Sequence, residues 1–355
     1  MFGRVLCTTN EKPDVVSKQY VMWGRGCFDE LFEPFGSFDL LVADSGYIFD
    51  DCIDLGERRI VTSESQRKIR FIKIFNILNP ESIPDRFGGG YLHKNGSTVT
   101  ITECETERET IERIFMFNSI SVYIISLKSC EERVKIASEL AKSLDMPSEI
   151  IEGVEGSMLK IEPIEGRTEE YTVRDPEDPE HTYLYSKAEH DVTKCTITTG
   201  LRPPQMGCSL SHLKVYRLFL KSDAKNALIF EDDTILKTTA SELHRILFYY
   251  PYNSVSFCNF SDRVEWFPII MEKPLNRYYY RGIKRQFNRN CAYMINRDVA
   301  TICLDYIRRG EGVYHINYVA DDLVCHICQI TNNINISAPH YKPFTLADIE
   351  STDKI

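Results

Sequence analysis

Short hydrophobic runs, separated by polar stretches with helical spacing, recur along residues 119–345. Residues 122–127 form a run of the kind found in a central strand that is buried on both faces. A helical pattern over residues 131–144 and a second short run at 149–154 follow it. This strand–helix–strand order predicts a right-handed βαβ unit and an α/β fold.

The same alternation continues toward the carboxyl terminus. Pro203 and Pro204 interrupt the chain before a predicted helix over residues 206–221, and the run 227–230 predicts the next buried strand. The later predicted elements are a helix at 239–248, strands at 254–260 and 291–295, a helix at 297–308 and a helix that carries Asp321 and Asp322. The polar residues 346–355 predict a frayed tail.

The stretch 165–200 differs from its surroundings because it is polar and rich in proline, aspartate and glutamate. We predict a long loop there, since the stretch offers little that could pack into a core. Such a loop acts either as a lid or binding element, or as a solvated insertion. The composition does not choose between these two interpretations.

Residues 1–118 predict a separate, smaller mixed α/β domain. Runs at 38–44 and 60–62 predict strands, and the alternation of threonine with apolar residues over 98–102 predicts a half-buried strand. Apolar residues at helical spacing over 65–78 favour a helix, although β-branched residues leave a strand open. We assign no chemistry to this domain and predict an accessory role for it.

Composition and charge narrow the class of protein. The 355 residues carry a net charge of −10, which argues against a nucleic-acid partner because such binding needs a basic surface. The first residues lack the apolar segment of a signal peptide, and no apolar run nears the roughly 20 residues that span a bilayer, so we expect a cytoplasmic protein. Twelve scattered cysteines are then reduced thiols, and the CxxC at 325–328 has no second pair at zinc-finger spacing.

Three carboxylates, Glu231, Asp232 and Asp233, directly follow the run 227–230. Acidic runs usually mark solvated turns, but the carboxyl end of a buried strand is where open α/β sheets bind ligands. Side chains alternate along a strand, so Glu231 and Asp233 share one face and Asp232 takes the other, unless the turn begins at Asp232. Carboxylates suit Mg²⁺ or Mn²⁺, and such a cation neutralises the charge that grows on a departing diphosphate.

Two further groups of residues are candidates for chemistry. Cys208 and His212 stand four residues apart on one face of the predicted helix. His212 is then either a core histidine or, with Ser211, a residue that positions a ligand or the metal loop. Asp321 and Asp322 offer either a general base or an acidic pair favoured by a helix N-terminus. Late histidines could complete a metal shell, although spacing singles out none of them: His315, His326 and His340.

These segments together resemble glycosyltransferase family 25, which includes lipooligosaccharide β-galactosyltransferases and collagen galactosyltransferases. Residues 207–212, with the pattern Gly-Cys-x-x-Ser-His, and the apolar run and acidic triplet that follow them carry the resemblance most directly. Other segments occur in the family's order and match its opening strand, its turn and a later strand: residues 122–133, 154–156 and 291–297. The resemblance covers residues 121–340 and leaves residues 1–118 aside.

The resemblance implies a GT-A fold, in which helices flank a mostly parallel, Rossmann-like sheet. It implies inverting transfer of a hexose, galactose or glucose, from a nucleotide-sugar donor, commonly a UDP-sugar, to a glycan, lipid-linked or protein acceptor. Asp232 and Asp233 would hold Mn²⁺ or Mg²⁺ in a DxD-like motif, and Asp321 or Asp322 would be the base. Residues 1–118 would serve acceptor binding or homo-oligomerisation. The donor would be bound at the family's motif positions: Ser126, Leu127, Arg133, Gly207, Ser211, His212, Glu231 and Asp232.

The chain departs from the family pattern at two places. Residues 126–129 are Ser-Leu-Lys-Ser where the family shows Asn-Leu-Asp-Arg, which leaves the donor open, and Tyr216 replaces a tryptophan. The altered loop motivates a second hypothesis, a GT-A-like binding or adhesion module without turnover. A nucleic-acid enzyme with a two-metal site is a third class, which the acidic net charge disfavours.

Overall fold

The structure, a computed structural model, divides the chain into two compact units, Met1–Ser119 and Ile120–Ile355. None of the helices in the described stretches combines the length and the apolarity that a membrane crossing requires. The structure describes the following residues: 5–7, 21–23, 40–44, 53–54, 59–60, 71–75, 91–96, 98–102, 104–187, 201–261, 271–276, 278–282, 291–331, 335–339 and 341–346.

The first unit is a mixed α/β arrangement. Its elements are strands β1 (Val5–Cys7), β2 (Val21–Trp23), β3 (Leu40–Asp44), β4 (Ile53–Asp54), β5 (Arg59–Ile60), β6 (Phe71–Phe75), β7 (Tyr91–Asn95) and β8 (Thr98–Thr102), and helix α1 (Glu107–Asn118). Six of these strands form a sheet in the order β2-β1-β3-β6-β8-β7. Strands β1, β2, β3 and β6 run parallel, and the hairpin β7–β8 is antiparallel at the edge.

The structure settles one open sequence prediction for this unit and contains one helix that was not predicted. The stretch 65–78 contains the strand β6, so its β-branched residues and not its helical spacing indicated the correct element. Helix α1 was not predicted, although the sequence carried a signal for it. The Thr106 hydroxyl accepts a hydrogen bond from the Glu109 amide at 3.1 Å, which caps the first turn of α1.

The second unit follows the predicted order of strands and helices. Its helices are α2 (Glu131–Ser143), α3 (Pro203–Lys221), α4 (Ala240–Phe248), α5 (Arg297–Ile307) and α6 (Ala320–Ile330). Its strands are β9 (Ile120–Ser126), β10 (Ser148–Glu152), β11 (Lys160–Pro163), β12 (Glu170–Arg174), β13 (Thr182–Ser186), β14 (Asn226–Glu231), β15 (Thr234–Leu236), β16 (Phe257–Asn259), β17 (Met271–Pro274), β18 (Tyr279–Gly282), β19 (Ala292–Asn296), β20 (Arg308–Gly310), β21 (Val313–His315), β22 (Ile336–Pro339) and β23 (Phe344–Leu346). Residues 347–355, most of the predicted frayed tail, lie outside the described residues.

Helix α3 begins earlier than predicted because the two prolines lie inside it. Pro203 and Pro204 occupy its first positions, where the missing backbone N–H of a proline leaves no helical hydrogen bond unmade. The amide of Arg202, the N-cap residue, donates to Gln205 Oε1 at 3.0 Å. The proline pair therefore starts the helix instead of separating it from the preceding chain.

The main sheet of the second unit has the strand order β10-β9-β14-β19-β16-β22-β18-β17. Strands β10, β9 and β14 are parallel neighbours, as predicted for the βαβ unit. Strand β14 pairs antiparallel with β19, and antiparallel pairs outnumber parallel ones beyond it. Of the eight described strands, six run in one direction, and β19 and β18 run opposite to them. The prediction of a mostly parallel sheet therefore holds for strand direction, but the two reversed strands were not predicted, because a hydrophobic run does not reveal the direction of its neighbour.

Both faces of the main sheet are covered at its centre. Tyr123 and Ile125 of β9, with Ile229 of β14, belong to a core cluster that includes side chains of α3, α5 and α6. The alternate residues, such as Ile124 and Phe230, are also fully buried but lie outside that cluster. This double burial explains why the runs 122–127 and 227–230 are continuously apolar.

A second sheet overturns the prediction of a loop over 165–200. Its order is β11-β12-β13-β21-β20, so the described part of that stretch contains β12 and β13. Val173, Tyr183 and Tyr185 are buried at these strands and join the core cluster. The polar composition of the stretch concealed them, because apolar side chains at every second position are enough for a strand that is covered on one face.

Candidate functional site

The acidic triplet lies at the carboxyl end of β14, beside the end of β9. Glu231 is the last residue of β14 and pairs with Ile125 of the parallel strand β9. Its amide donates to the carbonyl of Cys291 at 2.9 Å, next to β19. Because β9 and β14 are parallel, the loops that follow both strands emerge at the same sheet edge, where α/β proteins bind ligands.

Asp232 is buried in an ion pair with Arg133 of α2. Arg133 Nη1 donates to Asp232 Oδ1 at 2.9 Å, and the Leu127 amide donates to Oδ2 at 3.3 Å. The two charged side chains are 13% and 6% exposed, so water screens the pair little. Burial disfavours the charge of Arg133, but the attraction of Asp232 and Asp233 outweighs it and raises the pKa of the guanidinium. Asp232 thus connects two other predicted donor-binding residues, Leu127 and Arg133, through hydrogen bonds.

Glu231 points to the other side of the sheet, toward α3. Its Oε1 lies 3.3 Å from His212 Nε2, while His212 Nδ1 lies 2.6 Å from the Tyr293 hydroxyl. The strand ends at Glu231, and Asp232 and Asp233 form the turn after it, so the different contacts of Glu231 and Asp232 do not come from strand alternation. Glu231 and Asp233 both act on the buried thiol of Cys291: burial raises the pKa of Cys291 to about 12, and the two carboxylates add to the increase.

Gly207 and Ser211 hold helix α3 against the turn after β10. The Val154 amide donates to the Ser211 hydroxyl at 2.7 Å, and that hydroxyl donates to the Gly207 carbonyl at 2.8 Å. A Cβ atom on Gly207 would lie 2.5 Å from the Val154 carbonyl oxygen, and one on Gly156 would lie 2.3 Å from the Pro203 carbonyl oxygen. These contacts give Gly207 and Ser211 a packing role. Contact of either residue with a sugar donor stays a prediction.

The last residue of β9, Ser126, carries a buried hydroxyl at the same sheet edge. Ser126 is 3% exposed, and its Oγ makes no hydrogen bond to any described residue. The Ser126 carbonyl accepts from the Gly153 amide at 2.9 Å, which ties the loop after β9 to the end of β10. Ion pairing of Lys128 with Glu152 and hydrogen bonding of Ser129 with Glu155 connect the same two loops.

The predicted bases Asp321 and Asp322 lie in the first turn of α6, and their side chains are outside what the structure describes. A small cleft connects the start of α6 with α3, since Ala320 and His212 both line it. The Ser209 hydroxyl of α3 also donates to the Tyr318 carbonyl at 2.9 Å, just before α6. The backbone of this first turn therefore approaches the histidine of the motif, and the role of the two carboxylates stays a prediction.

The late histidines have contacts of their own. His326 Nε2 lies 2.8 Å from the Tyr306 hydroxyl, and its ring stacks on Tyr318 with centroids 5.0 Å apart; burial lowers its pKa. His315 Nδ1 lies 3.3 Å from Arg309 Nη2. His340 is outside the described residues, as are the side chains of the two cysteines in the 325–328 motif.

One group of side chains in the described part of the chain could together hold a metal ion. Its members are Cys208 and His212 of α3 and Glu231 of β14, whose ligand atoms all lie within 4.8 Å of one another. Spacing on α3 indicated that Cys208 and His212 share a face. The third ligand could not be predicted, because Glu231 reaches them only through the packing of α3 on the sheet.

Comparison with protein-family models identifies a family for the second unit. The family model described as glycosyltransferase family 25 (LPS biosynthesis protein) matches residues 119–323, which is more than half of the chain. The match contains the strands β9 and β14, helix α3 and the acidic triplet. A search of curated proteins found no match.

Proposed function

The chain belongs to glycosyltransferase family 25 and is a glycosyltransferase, and we propose that it transfers a hexose with inversion from a nucleotide-sugar donor to a hydroxyl acceptor. Galactose or glucose carried by UDP is the donor that we propose, with a glycan, lipid-linked or protein acceptor. The donor would lie at the shared edge of β9 and β14 in a GT-A-type arrangement.

The observation that carries this proposal is the joining of Arg133, Leu127 and Asp232 at that edge. A nucleoside diphosphate is an anion, and the Arg133 guanidinium, which uses Nη1 for Asp232, has further N–H donors from which phosphate oxygens can accept. The Ser126 hydroxyl, buried beside the same loop, has donor and acceptor capacity that no described residue uses. Both features favour a polar, anionic ligand over an apolar one.

Mn²⁺ or Mg²⁺ would be held by Asp233 together with Asp232. One or two carboxylates plus substrate phosphates are sufficient protein ligation for such a cation. Each oxygen of Asp232 has two lone pairs, so the contacts with Arg133 and Leu127 leave acceptor capacity on the carboxylate. The bound cation would supply stabilisation of the negative charge on the leaving diphosphate.

The residues of the chain itself have three proposed tasks. Arg133 holds the Asp232 carboxylate in place, because their opposite charges are buried together. Ser126 orients the donor through its hydroxyl. Asp321 or Asp322 accepts the proton of the attacking acceptor hydroxyl, as the general base of a single displacement.

The test is transfer from UDP-galactose and UDP-glucose, and hydrolysis of both donors, with Mn²⁺ and with excess EDTA. We expect EDTA to abolish turnover and added Mn²⁺ to restore it. Asp233→Asn should lower kcat/KM at least about 100-fold, since it removes a charge that acts in the transition state. Asp223→Asn, a change of an exposed carboxylate after α3, is the matched control and should have full activity.

Three outcomes would contradict this proposal. Full turnover of Asp233→Asn in EDTA would show that the acidic triplet holds no catalytic cation. Thermal stabilisation by UDP without turnover of any sugar donor would favour the binding module, and no stabilisation by UDP, GDP or CMP nucleotides would remove the donor site at this edge.

A further inference from the structure

Three different ligand types converge on the α3 side of the sheet. The Cys208 thiol and the His212 imidazole stand one helical turn apart on α3, and Glu231 meets them from the end of β14. Their ligand atoms lie within 4.8 Å of one another, with Cys208 exposed, His212 buried and Glu231 between these extremes. The cluster is therefore anchored in the core and open to solvent on one side.

His212 is oriented as a metal-binding histidine needs to be. Its Nδ1 lies 2.6 Å from the Tyr293 hydroxyl, which in turn lies 3.0 Å from the Tyr216 hydroxyl. When Nδ1–H donates to Tyr293, the lone pair of Nε2 points toward Glu231, whose Oε1 is 3.3 Å away. A hydrogen bond on the far nitrogen that sets the tautomer and ring orientation accompanies nearly every histidine bound to a metal.

The combination of sulfur, nitrogen and oxygen ligands selects the metal. Thiolate and imidazole suit Zn²⁺, whereas Mg²⁺ and Mn²⁺ prefer oxygen ligands. A tetrahedral zinc with bonds of about 2.0–2.3 Å sets its ligands about 3.5 Å apart. The three ligand atoms lie within 4.8 Å of one another, so small side-chain adjustments, with Cys208 exposed, would suffice to reach that value. Three protein ligands leave the fourth position open.

We propose that Cys208, His212 and Glu231 form a zinc site with one open coordination position. The site is additional to the Mn²⁺ or Mg²⁺ proposed at Asp232 and Asp233, and it does not depend on that proposal. On binding, the Cys208 thiol releases its proton to solvent, His212 coordinates as the neutral imidazole and Glu231 as the carboxylate. Zinc affinity therefore rises with pH until the thiol is ionised.

The experiment titrates the metal-free full-length chain with Zn²⁺ against a chromophoric chelator, and with Co²⁺ by absorption spectroscopy. We expect a Co²⁺ spectrum with a thiolate charge-transfer band and tetrahedral d–d bands. Cys208→Ser should abolish the charge-transfer band, and His212→Asn and Glu231→Gln should each weaken Zn²⁺ binding at least about 10-fold. Cys130→Ser, a change of a half-buried thiol at the start of α2, is the control and should bind Zn²⁺ as the unchanged chain does.

Alkylation gives a second measurement that does not depend on folding of the variants. Zn²⁺ should protect Cys208 from iodoacetamide in the unchanged chain, as peptide mapping by mass spectrometry detects, and should leave the reaction of Cys130 unaltered. A charge-transfer band that persists in a folded Cys208→Ser variant, or absence of Zn²⁺ protection, would overturn the site. Zn²⁺ binding without Mn²⁺-dependent sugar transfer would contradict the proposed function alone.

Discussion

The ion pair of Arg133 and Asp232 shows how single residues keep the acidic edge in place. Both charges are largely withdrawn from water, so each depends on the other. We expect Arg133→Met to lower the free energy of unfolding by about 3–5 kcal/mol, because it leaves a buried carboxylate without its cation. Urea denaturation of the variant measures the loss.

A surface ion pair of the same unit provides the control for that prediction. Arg167 and Glu170 are separated by 2.8 Å, close to the separation in the buried pair, but their side chains are 60% and 36% exposed. Arg167→Met should therefore cost no more than about 1 kcal/mol. Equal losses for Arg133→Met and Arg167→Met would mean that burial does not strengthen the dependence of Asp232 on its partner.

At the scale of elements, the docking of α3 against the turn after β10 depends on the absence of a side chain at Gly207. A Cβ there would meet the Val154 carbonyl oxygen at 2.5 Å, and backbone atoms cannot move aside as a flexible side chain can. We expect Gly207→Ala to lower the free energy of unfolding by about 1–3 kcal/mol through overpacking, despite the better helix propensity of alanine. Thermal or urea unfolding measures it.

Gly310 of β20 is the matched glycine for this comparison. A Cβ on Gly310 would meet Val313 at 3.9 Å, which is an ordinary contact. Gly310→Ala should change the free energy of unfolding by less than about 0.5 kcal/mol. A Gly207→Ala variant as stable as Gly310→Ala would show that α3 can shift without cost, and that the close approach of the two backbones is not required.

At the scale of the whole molecule, buried thiols make stability depend on alkaline pH. Burial raises the pKa of Cys258 and of Cys291 from 9.0 to about 12. Below pH 9.0 the folded and unfolded chains both keep these protons, so the contribution to stability is complete. Between the two pKa values only the unfolded chain releases them, and stability is lost as the pH rises.

We expect each thiol to contribute a slope of up to about −1.4 kcal/mol per pH unit above its unfolded pKa. Urea midpoints of the unchanged chain and of Cys258→Ala, from pH about 8 to about 10.5, measure that slope. The variant should start lower, because it loses packing, and then fall less steeply. Parallel curves would show that the Cys258 thiol ionises equally in both states.

The short-range pattern of the chain predicted the five helices of the second unit and five of its strands, β9, β10, β14, β16 and β19. Continuous apolar runs indicated β9 and β14 because those strands are buried on both faces. A search for continuous apolar runs missed the strands within residues 165–186. A strand that is covered on one face needs few apolar residues, and charged residues dominate this stretch. Such a search could not reveal the antiparallel partner of β14, since strand direction depends on a segment more than sixty residues away.

The candidate site was likewise predictable from the sequence only in part. The acidic triplet and its position at the end of a buried strand followed from the local pattern of the chain. Its partners did not, since Arg133 is 99 residues from Asp232 and His212 is 19 residues from Glu231. The metal-capable cluster therefore could not be predicted beyond the Cys208 and His212 pair on one helix.

By itself, the sequence determined the helices and the central strands of the second unit, the family, and the carboxylates at the end of β14, because these depend on local periodicity and on residues adjacent in the chain. Only the tertiary structure decided that Asp232 is paired with Arg133, that Ser211 binds the Val154 amide and that Glu231 joins His212. Such contacts form when separate elements pack, and the free energy of that packing depends on three-dimensional neighbours that no local pattern contains.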